Sequence, residues 1–202
     1  MRHYLFGYGS LINRSSRLAT GQTGEAFPVR VKGLHRSWCV VAPEMNFTGL
    51  GVMKNPVSTC NGVLVQIDEN ELAAFDEREI IGSNYNYDRL LIPNNQIQSH
   101  SNLGSNIKIW SYIVKVPKNS DLKYPIVQSY VDVILGGCID IGRDFADEFV
   151  MSTSGWHFPW LDDRTAPRYA RYISGINTDF IDQILIQNIP TEFAKRGVDT
   201  FN

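Results

Sequence analysis

Two short stretches of this 202-residue chain carry residue types at spacings that chemistry can use. The first is Tyr4-Leu5-Phe6-Gly7-Tyr8-Gly9-Ser10-Leu11-Ile12. An apolar, β-prone run enters Gly-Tyr-Gly-Ser, and a short helix with Ser10 as its N-cap would follow. That arrangement turns the backbone N–H groups of Gly9, Ser10 and Leu11 toward one point, where a carboxylate or other anion can sit. Gly7 and Gly9 have no Cβ and let a ligand come close to the main chain. An ordinary strand followed by a tight turn is the plainer alternative. The second stretch is Phe75-Asp76-Glu77-Arg78-Glu79-Ile80-Ile81-Gly82. It sets three acids at the end of an amphipathic helix, where the macrodipole opposes negative charge. Glu79 is followed at once by two isoleucines, and a carboxylate held against such a wall suits general-base work. Three solvated surface acids are the alternative there.

Other patterns fail on spacing. Gly7-Tyr8-Gly9 begins a dinucleotide fingerprint, but the third glycine it requires is Ile12. Gly49-Leu50-Gly51-Val52-Met53-Lys54 lacks the spacing and the hydroxyl of a phosphate loop. Neither Ser10 nor Ser154 sits between the paired glycines of a nucleophile elbow. His3, His35, His100 and His157 are scattered with no pair at metal-ligand spacing, so no metal and no cofactor is expected. A Ser-His or Cys-His triad has no local support.

The elements that must hold the two stretches read as follows. Residues 3–8 form a strand ending at Gly9, and residues 10–19 a short helix or turn. Residues 28–32 and 36–42 resemble a strand pair flanking Gly33, and 49–53 and 62–67 add two Val-rich strands. Residues 68–79 switch to helical period, with Leu72 and Phe75 on one face, Asp68 and Glu69 in the first turn, and Gly82 as the stop. Strands return at 85–92 and 107–116 around a polar loop at 94–106. Helices are expected at 124–134, 141–151 and 178–188. Residues 152–174 follow neither period. They hold Trp156, Phe158, Trp160, Tyr169 and Tyr172 among several Asp and Arg. A loop of that length needs a reason. It either wraps the edge of the core or forms the wall or lid of a pocket.

Composition bounds the rest. Hydrophobic residues are 43% and charged residues 20%, which is globular. One domain over residues 1–202 is the expectation, with 152–202 a C-terminal extension of aromatic loop and helix. The net charge of −2 offers no attraction to nucleic acid or to an anionic membrane. No run approaches a bilayer span and no leader pattern opens the chain, so a cytoplasmic protein, monomer or homodimer, is expected. Cys39, Cys60 and Cys138 form no CxxC pair and read as buried small hydrophobes.

Together the two stretches resemble the γ-glutamylcyclotransferase superfamily, which includes cyclotransferases of γ-glutamyl amino acids and amines, the ChaC type and AIG2-like proteins. The hallmark FGYGSL stands here as Phe6-Gly7-Tyr8-Gly9-Ser10-Leu11. The second hallmark, a strand, an amphipathic helix closing on an acid and a turn into another strand, maps onto residues 62–67, Leu72 to Arg78, Glu79 and Tyr87-Asp88-Arg89. The resemblance spans roughly residues 3–150. It implies an α+β fold, a small mixed β-barrel surrounded by helices, and an enzyme acting on a small γ-glutamyl substrate to form 5-oxoproline. It implies Glu79 as the catalytic acid, with Glu77 its rival, and Tyr8, Gly9, Ser10 and Leu11 holding the glutamyl group. Tyr87, rather than Tyr85, would line the pocket. A specialist for γ-glutamyl amines or a biosynthetic intermediate, with specificity sought in 156–160, and a non-catalytic binding module are the competing functions.

Overall fold

The computed structural model describes residues 1–19, 25–81, 86–99, 104 and 106–198, and for residues 78, 81, 99 and 198 the backbone alone. The first strand, β1 (Arg2–Gly7), is buried over five of its six residues. Side chains alternate across a strand, and both faces here meet apolar partners. Tyr4 and Phe6 pack inside the curled sheet with Val31, Leu64 and Ile109, while Leu5 faces the core shared with the helices. That double burial explains the uninterrupted apolar run. After β1, a three-residue 3-10 turn (Ser10–Ile12) leads into α1 (Arg14–Leu18).

The expected strand pairs on either side are single long strands. β2 (Ala26–Ala42) and β3 (Phe47–Ile67) form one antiparallel hairpin from Ala26 opposite Val65 to Ala42 opposite Phe47. The breaks expected in β2 and β3 are bends. Register shifts fall between Lys32 and Leu34 and between Trp38 and Val40, and Gly33 takes φ 85°, a conformation its missing side chain permits. Such bulges increase curl, so the hairpin wraps instead of lying flat.

α2 (Glu69–Asp76) begins with a full capping box: Asp68 accepts from the Glu71 N–H and Glu71 reaches back to the Asp68 N–H. The helix does not run on to residue 79. It passes into a π-helical turn, Glu77–Ile81. Gly82, the expected stop, and Tyr85 lie outside the described residues. β4 (Tyr87–Ile92), a short β5 (Ile97–Ser99) and β6 (Ile107–Val114) follow. The described residues of the polar stretch at 94–106 thus include a 3-10 turn (Asn94–Gln96) and an edge strand, and residues 100–103 and 105 lie outside them.

β7 (Ile126–Val127) precedes α3 (Gln128–Ile141) and α4 (Arg143–Ser152). Then come β8 (Thr153–Ser154), β9 (Trp160–Asp162), α5 (Thr178–Asn188), α6 (Pro190–Phe193) and β10 (Gly197–Val198). The expected helix at 124–134 begins only at Gln128, and α5 matches its expected range. Among the described residues the main sheet runs β4-β6-β1-β3-β2-β5, with β8 beside β2, and a second sheet runs β10-β9-β7. The architecture is α+β, a curled half-barrel packed against helices. No helix among the described residues is long and apolar enough to cross a membrane. Cys39, Cys60 and Cys138 are buried and unbonded to each other.

Candidate active site

β1 delivers the first stretch to the centre of the sheet. After Gly7 the chain reverses so tightly that a Cβ on Gly7 would lie 2.7 Å from the Leu11 Cβ. The Ile12 N–H donates to the Gly9 carbonyl at 2.9 Å and the Asn13 N–H to Ser10 at 3.1 Å. Ser10 is therefore not the cap of a ten-residue helix. Gly9 stands before the 3-10 turn, and Asn13 caps α1 by accepting from the Ser16 N–H at 3.1 Å. Two buttresses fix this turn. Arg17 Nη1 donates to the Leu11 and Ile12 carbonyls, both at 2.8 Å. Arg36, with no exposed surface, donates to the Tyr8 carbonyl at 3.4 Å and to Asn61, Phe149, Ser152 and Thr153 oxygens at 2.7–3.0 Å. Every one of those acceptors is neutral, and the guanidinium lies 3.5 Å over the Phe149 ring.

The three acids of the second stretch part company. Asp76 accepts from the Tyr112 hydroxyl at 2.7 Å and pairs with Arg89. Glu77 is exposed. Glu79, half-buried in the π-helical turn, lines a cavity of about 140 Å³ together with Gly7 through Leu11. An inserted π turn shifts the side chains after it around the helix axis, and such turns recur at functional sites. Asp76, the last residue of α2, ties the start of that turn to Tyr112 of β6, whose carbonyl in turn accepts from the Tyr8 hydroxyl at 3.1 Å.

Tyr8, Tyr87, Tyr112 and Tyr130 complete the cavity wall. Burial pushes the phenols of Tyr8 and Tyr87 well above their ordinary value, and the negative charge of Glu79 pushes the same way. Burial likewise raises Tyr130 and Tyr112, with Asp76 adding to the latter. All four stay protonated at neutral pH and remain hydrogen-bond donors. The Ser10 backbone N–H is directed at the Tyr130 oxygen. A Cβ on Gly9 would come within 3.0 Å of the same oxygen.

This inner cavity opens into an outer one of about 770 Å³, and the two share Leu50, Glu79, Tyr87, Tyr130 and Arg171. Val40, Pro43 and Phe47 from the β2–β3 hairpin, with Lys118 and Tyr169, form part of its wall. Burial pushes the Cys39 thiol there up to about 11, so it stays protonated near neutral pH. Among the described residues no cluster of three or more His, Cys, Asp or Glu is arranged to hold a metal ion.

The structure therefore brings Tyr8, Gly9, Ser10, Leu11, Glu79 and Tyr87 around one cavity. Sequence reasoning missed Tyr112, Tyr130 and Arg171, which come from β6, from α3 and from the segment after β9. No local pattern marks them. The aromatic run 156–160 does not line this site. Trp156 and Trp160 are 5% and 6% exposed, and the Trp156 ring packs 5.1 Å from both Trp38 and Trp160. The part of the 152–174 segment that reaches the cavities is Tyr169 and Arg171.

The fold and site together define a cyclotransferase-like protein, and comparison with known proteins agrees. A solved structure titled "Gamma-glutamyl cyclotransferase" is 14% identical with a TM-score of 0.57, the match covering 91% of this chain and 99% of that one. The protein loc79017 from Homo sapiens is 13% identical with a TM-score of 0.56, over 91% and 98% of the two chains. YkqA from Bacillus subtilis is 15% identical with a TM-score of 0.56, over 74% of this chain and 53% of that one, so the match spans about half of YkqA. No curated protein matches the sequence. The family described as "Gamma-glutamyl cyclotransferase, AIG2-like" matches residues 5–130, and the chain belongs to it.

Proposed function

We propose that the protein is a γ-glutamylcyclotransferase that converts a γ-glutamyl compound to 5-oxoproline and a free amine or amino acid. The observation that carries this is Glu79, the one acid among the described residues that line the inner cavity, where it is brought together with Tyr8 through Leu11. The substrate's α-amino group is a cation at neutral pH and must lose a proton before it attacks. Glu79 takes that proton. The nitrogen then bonds to the δ-carbonyl carbon of the same glutamyl unit, closing a five-membered lactam. Glu79 passes a proton to the departing nitrogen as the original amide bond breaks, and the second proton of the ring nitrogen follows the same route, so the amine leaves as an ammonium. One carboxylate serves both steps, and a positioned base contributes on the order of 10²–10⁴-fold. The protonated phenol of Tyr87 is suited to donate to the oxyanion that develops between the two steps, the Tyr8 O–H being given to the Tyr112 carbonyl. The small inner cavity holds the glutamyl chain curled for attack, and the restriction of that chain is the larger source of rate, up to roughly 7–11 kcal/mol for well-oriented reactions.

The leaving group exits toward the outer cavity, which is more than five times the volume of the inner one. That space favours a bulky leaving group, and supports a specialist within the same chemistry. The test is release of 5-oxoproline from γ-glutamyl amino acids, glutathione and γ-glutamyl amines. Glu79→Gln is expected to reduce turnover by about 10²-fold or more while the protein still binds 5-oxoproline. Wild-type kcat in that variant removes Glu79 as the base. No product from any compound in the panel, with 5-oxoproline still raising Tm, would make the protein a binding module instead.

A further inference from the structure

We propose that Arg171 binds the α-carboxylate of the γ-glutamyl unit, and so is a further substrate-binding residue of this site, supplied by the C-terminal segment. The inference rests on the γ-glutamyl reading above and adds the residue that recognises the acid end of the substrate. Among the described residues that line the inner cavity, two are charged: Glu79 and Arg171. The head of a glutamyl unit is itself a pair of opposite charges on one carbon, an ammonium and a carboxylate. Glu79 is matched to the ammonium. The carboxylate calls for a cation at the same cavity, and Arg171 is the one its wall offers.

Position and geometry agree. Arg171 Nη2 donates to the Ser10 Oγ at 3.4 Å, which sets the guanidinium beside the turn that lines the cavity. The guanidinium lies 5.3 Å from the centre of the Tyr169 ring, a cation–π contact that favours its placement there. A planar guanidinium suits a carboxylate better than a lysine ammonium does, because two parallel N–H groups match two oxygens. Arg171 lies past residue 130, where the family match ends, so neither hallmark stretch contains it.

The test is calorimetric titration of wild type, Arg171→Lys and Arg171→Gln with 5-oxoproline and with its neutral carboxamide, alongside 5-oxoproline release from γ-glutamyl-glycine and γ-glutamyl-methylamine. Wild type is expected to prefer the acid by about tenfold or more, Arg171→Gln to bind acid and amide about equally, and Arg171→Lys to fall between. In Arg171→Gln, KM should rise by a larger factor than kcat falls, equally for both γ-glutamyl compounds. A variant that has merely lost stability would weaken acid and amide alike. Retention of the acid preference by Arg171→Gln overturns the inference, as does a wild type that binds neither lactam or does not distinguish them. A KM increase confined to γ-glutamyl-glycine also overturns it, by moving Arg171 to the leaving group's carboxylate. Acid-selective binding through Arg171 with no turnover of either compound leaves this inference standing and removes the cyclotransferase reading instead.

Discussion

Four phenols around one carboxylate set a definite pH behaviour. Tyr87 and Tyr130 are 7% and 8% exposed, and burial raises both well above the ordinary tyrosine range. In the unfolded chain the same groups lose their protons near pH 10. Above that point the folded state holds more protons than the unfolded one, so stability falls as pH rises, by up to about 1.4 kcal/mol per pH unit for each such group. Tm should therefore decline from pH 9.5 to 11, and Tyr130→Phe should make that decline shallower by one group's share. An unchanged slope would mean Tyr130 ionises freely in the fold. Activity should show no loss from tyrosine ionisation below pH 10. At this scale the sequence was informative about Glu79, because three acids at a helix end are unfavourable for the dipole and invite another explanation. It could not sort them. Asp76 is committed to Tyr112 and Arg89, Glu77 is exposed, and only the fold supplies those partners. Tyr130 sits on an ordinary buried helix face, where an aromatic residue signals core and nothing more.

The elements around the site work by close approach. Gly137, in the middle of α3, lies against the turn after β1: a Cβ there would sit 2.5 Å from both the nitrogen and Cα of Asn13 and 2.8 Å from the Ile12 carbonyl carbon. These are backbone atoms and cannot rotate away. Gly137→Ala should push the 3-10 turn toward the cavity, costing about 1–3 kcal/mol as overpacking does and raising KM for the γ-glutamyl substrate. Gly136→Ala is the control, since its nearest contacts are 3.4–3.6 Å away and to side chains. Equal effects of the two substitutions would show that α3, not its contact with the turn, is what matters. Helix starts were legible here because caps are local: Asp68 with Glu71 announces α2. The π-helical turn that aims Glu79 was not, because a single inserted residue barely disturbs an apolar period and is selected by tertiary packing. The long strands β2 and β3 were read as fragments for a related reason. Glycine marks a bend and an end with the same letter, and pairing along a seventeen-residue strand is a non-local fact.

Across the whole molecule, the C-terminal third holds the site's outer wall in place through charge. Arg164 donates to both oxygens of Asp132 at 2.8 Å and to both oxygens of Asp182 at 2.7 and 2.9 Å, joining the segment after β9 to α3 and α5. Asp132 has no exposed surface, and Gln128 Nε2 also donates to it at 2.7 Å. Arg164→Met leaves that carboxylate buried with one neutral donor, which costs about 3–5 kcal/mol when a buried pair is broken from one side. For a chain of this size the loss is a Tm fall on the order of 10 °C. Its pH dependence has a fixed sign. Burial raises the Asp132 carboxyl and Arg164 opposes that rise. With Arg164 gone, the folded variant keeps a proton that the unfolded chain releases near pH 4, so its stability is greatest in acid and declines as pH rises through the raised value. The Tm gap to wild type should widen between pH 4.5 and pH 7.5, and an equal gap at both would mean that Asp132 does not carry the cost. Arg171 and Tyr169 follow Arg164 within seven residues on the same segment, so KM for the γ-glutamyl substrate should rise in Arg164→Met even at temperatures where the variant is fully folded. Unchanged KM there would separate the anchoring of the segment from the delivery of Arg171 to the cavity.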